Sequence, residues 1–155
     1  MQESGRIEIS KAERIEIYST VSTSHFTESI AMDAQETENL TGLTGNRYMV
    51  RGVNIQSVQP LKYRLIFWGK DTFDDTDLDT DSYIDDVELD MTNSPAFRID
   101  NANQHRLNVG ALEILYEDYD ITKELHISLQ NLSATAKLAG ASGAVQLDIK
   151  VSPRL

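Results

Sequence analysis

The stretch 144-AVQLDIKVS-152 decides the fold class. Val145, Leu147, Ile149 and Val151 alternate with Gln146, Asp148, Lys150 and Ser152. A period of two puts the four apolar side chains on one face of an extended chain, the signature of a half-buried β-strand. Just upstream, 124-ELHISLQN-131 repeats the pattern. Leu125, Ile127 and Leu129 share one face, and His126, Ser128 and Gln130 share the other. The intervening 132-LSATAKLAGASG-143 is rich in small residues, with glycines at 140 and 143. That composition predicts a loop joining the two strands as an antiparallel pair, with room for one helical turn ending near Gly140.

Working outward, 62-KYRLIFW-68 carries bulky apolar residues on both faces, as a central strand covered on each side would. Shorter strand candidates are YMVRGVNIQSV (48–58), VELDM (87–91), AFRI (96–99), RLNVG (106–110) and ALEILYE (111–117), each bounded by Gly, Pro, Asn or Asp. Near the N-terminus, RIEIS (6–10) and RIEIY (14–18) are alike but too short for an architectural repeat. Residues 20–46 are polar and weakly patterned; they read as loop with room for a strand or short helix near Phe26 to Met32. No strong amphipathic helix and no long linker is visible. The expectation is one all-β domain over residues 1–155, an antiparallel β-sandwich or jelly roll of about seven to nine short strands with few or no helices. Residues 1–46 are a candidate extended N-terminal arm.

Composition narrows the function classes. Cysteine is absent, which removes disulfides, thiolate metal sites and cysteine nucleophiles. No apolar run approaches the roughly 20 residues that span a bilayer, and the N-terminus lacks the layout of a secretory signal, so neither a membrane nor export is expected. The sequons at Asn39 and Asn131 read as chance matches without such a signal. The net charge of −11 comes from 25 acidic and 14 basic residues, and ten of those acids fall in 71-DTFDDTDLDTDSYIDDVELD-90. The rest of the chain is close to neutral. So local an acidity, with no basic stripe, disfavours nucleic acid and favours a cation or a basic protein surface.

Read from Asp77, the acidic run approaches a twelve-residue calcium loop. Asp77, Asp79, Asp81, Asp85 and Glu88 match its oxygen-ligand positions, and Ile84 its aliphatic one. Ser82 replaces the glycine of the sharp turn, and a strand precedes the run in place of a helix, so an EF-hand proper is disfavoured. A hard-cation site, Ca2+ above all, built from a subset of these five carboxylates is the sharper reading. The plainer one is a solvated acidic loop facing a basic partner. A third has the chain return to the sheet after Ser82, with Val87, Leu89 and Met91 pointing inward.

Other chemistry finds little support. His25, His105 and His126 form no local zinc motif, and His126, on a polar strand face, is expected to be exposed or at an interface. There is no nucleophile elbow, Walker loop or dinucleotide fingerprint. Among 25 acids a glycosidase-like carboxylate pair is guaranteed by abundance and carries no information. Trp68 with Tyr63, Tyr83, Tyr116 and Tyr119 could form a sugar-stacking platform, though core packing is preferred for Trp68.

The segments YRLIFWGKDTFDDTDLDTDSYIDDVELDM (63–91) and ELHISLQNLSATAKLAGASGAVQLDIKVSP (124–153) resemble small decoration or cement proteins of tailed-phage heads. The second is similar to their closing strand, small-residue loop and final strand. The resemblance implies a β-sandwich or jelly-roll body and a non-enzymatic role. Copies made in the host cytoplasm would bind the major capsid protein on the virion surface and brace the head, often as homo-trimers. The alternative reading is a calcium-dependent carbohydrate-binding jelly-roll module.

Overall fold

The computed structural model describes residues 19–26, 35–71, 82–94, 96–99, 102–133 and 145–154. These carry ten strands and no helix: β1 (Ser19–Phe26), β2 (Gln35–Leu40), β3 (Arg47–Ser57), β4 (Lys62–Trp68), β5 (Tyr83–Asp90), β6 (Ala96–Ile99), β7 (Ala102–Val109), β8 (Ile114–Glu117), β9 (Leu125–Asn131) and β10 (Val145–Pro153). The all-β class read from the alternation is what the chain adopts. No described helix is long and apolar enough to cross a membrane.

The strands form two antiparallel sheets. One runs β1-β10-β3-β7-β6, with β8 also on β3, and the other β2-β9-β4-β5. The pairing is nested: β1 with β10, β2 with β9, β3 with β7 and β8, and β4 with β5. Such a scheme is a long antiparallel ribbon rolled so that its successive pairs fall alternately in two facing sheets, the jelly roll.

Two expectations are corrected. β9 and β10 are not a hairpin, because β9 lies between β2 and β4 while β10 lies between β1 and β3. Both are interior strands with both edges occupied, and a connection far longer than a two- to five-residue hairpin loop suffices to cross between sheets. The polar stretch 20–46 is not simply loop. It supplies β1 to one sheet and β2 to the other, their ladders completed by partners more than a hundred and about ninety residues away. The RIEIS and RIEIY segments and the helical turn near Gly140 lie outside the described residues.

The core lies between the sheets. Val50, Ile55, Tyr63, Leu65, Phe67, Leu89, Met91, Leu125, Ile127, Leu129, Val145, Leu147, Ile149 and Val151 are fully buried, each contributing roughly 1.5–3 kcal/mol of transfer free energy. Buried phenols find partners, as they must. The Tyr48 hydroxyl accepts from the Gly45 amide at 2.6 Å, and the Tyr116 hydroxyl donates to the Glu124 carbonyl while accepting from the His126 amide, both at 3.0 Å. β4 is central and covered on both faces, with Trp68 only 4% exposed.

Candidate functional site

The acidic segment divides in two. Asp77, Asp79 and Asp81 lie outside the described residues, while Asp85 and Glu88 belong to β5. Three positions apart on a strand, those two point to opposite faces: Asp85 opposite Phe67, Glu88 opposite Arg64. The structure does not bring them together. Val87, Leu89 and Met91 do turn inward, with Leu89 and Met91 fully buried. The outer acids answer the bases of β4. Lys62 lies 3.1 Å from Glu88 and Arg64 3.6 Å from Asp86, a cross-strand arrangement of opposite charge.

Carboxylates instead converge with a histidine where no motif signals it. The chain leaving β8, 118-DYDITKE-124, folds back over the outer face of the opposite sheet and covers His126 of β9. His126 and Asp118 are 0% and 2% exposed. His126 is therefore interior, contrary to the exposed or interface position its polar strand face suggests. Alternation reports which face of a sheet a side chain takes; it says nothing of a loop laid over that face.

Asp118 organises this loop. Its Oδ1 accepts from the Asp120 amide at 3.0 Å and from His126 Nε2 at 3.0 Å. Oδ2 accepts from the Thr122 amide, the Thr122 hydroxyl and the Glu124 amide at 2.8, 2.9 and 3.1 Å. Burial pushes its pKa up, but the Glu124 amide, His126 and Thr122 outweigh that and hold it below the usual carboxylate range. Two residues here adopt left-handed backbone without being glycine, Ile121 at φ 58° and Lys123 at φ 61°. Such conformations persist only where their surroundings over-determine them. The constraints are visible: Asp118 inside the loop, Asn46 accepting from the Lys123 amide at 2.8 Å, and the Gly69 carbonyl accepting from the Tyr119 amide at 2.7 Å.

The ligand atoms of Asp118, Asp120 and His126 lie within 4.8 Å of one another. A metal would bind through the Nε2 lone pair, on the side where Nε2 faces Asp118 Oδ1 at 3.0 Å. His126 Nδ1 faces Asn39 Oδ1 at 2.9 Å, and the Asn39 amide nitrogen donates to Asp71. The cluster ties β9, β2, the 118–124 loop and Asp71 together.

Around this buried network the surface is apolar and acidic. Tyr119 is 47%, Tyr83 43% and Ile121 72% exposed. Tyr83 stands edge-on to Trp68 with ring centroids 6.1 Å apart, and its hydroxyl donates to Asp86, which pushes its pKa up to about 12. The Asp71 amide donates to Asp120 Oδ2 at 2.7 Å, and the Gly69 amide to the Ser82 carbonyl at 2.6 Å. Both ends of the acidic segment therefore depart from this edge. Of the aromatic residues considered for a sugar platform, Tyr63, Tyr116 and Trp68 are buried and Tyr83 and Tyr119 remain accessible. Neither the protein-family models nor the curated protein sequences include a match to this chain.

Proposed function

We propose that the protein is a non-enzymatic structural protein of a virion, a decoration or cement protein that binds the major capsid protein of a phage head as a homo-oligomer, most simply a trimer. The observation that carries this reading is the edge built by Gly69–Asp71, Ser82–Asp86 and Asp118–Glu124. An anchored loop holds Ile121 and Tyr119 out to solvent, the carboxylate of Asp120 beside them holds the Asp71 amide, and Asp86 adjoins the exposed Tyr83. Rigid apolar and aromatic anchors with a charged rim are the anatomy of a protein-docking site. The acidic rim fits a basic partner surface. The His126–Asp118 pair is sealed from solvent and so is in no position to meet a substrate. Jelly rolls serve in capsids and in lectins, an analogy of fold that leaves the choice to the site.

The test is sedimentation of the protein with and without empty phage heads, repeated in EDTA. Saturable co-sedimentation that Ile121→Asp weakens at least about tenfold, a loss of about 1.4 kcal/mol, is the expected result. No binding to heads, or binding indifferent to Ile121, would refute the docking edge. Loss in EDTA would call for a structural cation, and the same loss on replacing Asp77, Asp79 and Asp81 by Asn would assign it to those residues.

Accessible Tyr83 and Tyr119 beside these carboxylates favour one second reading, a calcium-dependent carbohydrate-binding module. Calcium-dependent glycan binding lost in Tyr119→Ala would select it.

A further inference from the structure

On the far sheet a polar cleft has a different origin. Between β3 and β10 the register slips, pairing Lys150 with Gly52 but Val151 with Val50. Arg51 is the extra residue of a β-bulge, a device that re-aims side chains. Val50 and Val53 both stay in the core, at 0% and 3% exposure, and Arg51 turns to the outer face, where its Nε donates to Ser152 Oγ at 3.2 Å. Gly52 leaves the floor open. A Cβ there would lie 3.1 Å from the Val109 carbonyl and 4.0 Å from the Lys150 stem. The far wall is the end of β7 and the turn after it, where Ala111 takes φ 56° and the Leu112 amide donates to the Arg51 carbonyl at 3.0 Å. The result is a cleft of about 510 Å³ lined among others by Arg51, Gly52, Asn54, Asn108, Ala111 and Lys150, within the range of small-ligand sites.

We propose that this cleft binds a small oxyanion, the carboxylate or phosphate of a metabolite-sized ligand. Its lining charges, Arg51 and Lys150, are both positive in a chain of net charge −11. A guanidinium held by Ser152 and an ammonium whose stem passes the open floor offer charge-assisted hydrogen bonds to one anion. The carboxamides of Asn54 and Asn108 add neutral polar groups beside them. The Asn54 Nδ2 faces Asp148 at 3.4 Å, while its Oδ1 is buried without a hydrogen-bond partner. The site is independent of the docking edge and uses none of its residues.

Amide chemical shifts followed during titration with citrate and, separately, inorganic phosphate, both at constant ionic strength in sodium chloride, test it. Saturable shifts confined to the 51–54, 108–112 and 148–152 amides are expected, weakened about tenfold by Arg51→Gln or Lys150→Gln with the melting temperature retained. Gly52→Ser, which fills the floor, should abolish them. The stronger of the two titrants identifies the anion as carboxylate or phosphate. Shifts that do not saturate, that spread over lysines and arginines elsewhere, or that persist in both charge variants would overturn the proposal.

Discussion

Asp118 shows how much one side chain can decide. Its two oxygens take five donors from three backbone amides, one hydroxyl and one imidazole, and through them a loop with two left-handed residues keeps its shape. Asp118→Asn preserves the outline but turns one acceptor into a donor facing other donors. It should cost roughly 3 kcal/mol, read from urea unfolding at neutral pH. The acid limb gives a second measure. The folded-state value lies below the ordinary one of about 3.9, so the stabilisation is complete above that pH and is lost as pH falls through the folded value. The wild type should lose stability there and Asp118→Asn should show a shallower decline.

Elements meet here through close approaches as much as through ladders. The turn after β4 must be glycine at position 69, because a Cβ on it would overlap the Tyr119 ring. Gly69→Ala should therefore cost about 1–3 kcal/mol by overpacking, and pairing it with Tyr119→Ala should recover most of the loss, measured as a double-mutant cycle. A full cost that persists without the ring would place the strain in the backbone instead. The ion pairs between β4 and β5 are another matter. Both are well exposed, at 39% and 50% for Lys62 and Glu88, and exposed pairs contribute roughly 0.2–1 kcal/mol. Part of the acidic run thus has a modest structural use, pairing β5 to its neighbour.

At the scale of the molecule, the nested pairing makes the end of the chain structural. β10 joins β1 to β3 and buries Val145, Leu147, Ile149 and Val151 completely. Truncation after Ser133 removes an interior strand, and the fragment should lose cooperative thermal unfolding; a sharp transition in that fragment would show that the rest of the roll closes without it. The alternation in 144–152, 124–131 and 62–68 was enough to identify these strands and their inward residues, because burial of one face imposes a period of two wherever it occurs. It also turned Val87, Leu89 and Met91 inward. Alternation could not choose the partners. Strand pairing is set by which edges remain open once the whole ribbon has rolled, so β9 and β10 part company, and the polar residues of β1 and β2 become strands through ladders to distant segments. The candidate edge was half legible: its carboxylates stand out in composition, whereas the His126–Asp118–Asn39 network joins residues far apart in sequence. Local chemistry fixed the class of fold and the sign of the charge. Only the tertiary structure could bury His126, hold Ile121 in the open and cut a basic cleft into an acidic protein, since each depends on groups that strand pairing and loop packing bring together from distant parts of the chain.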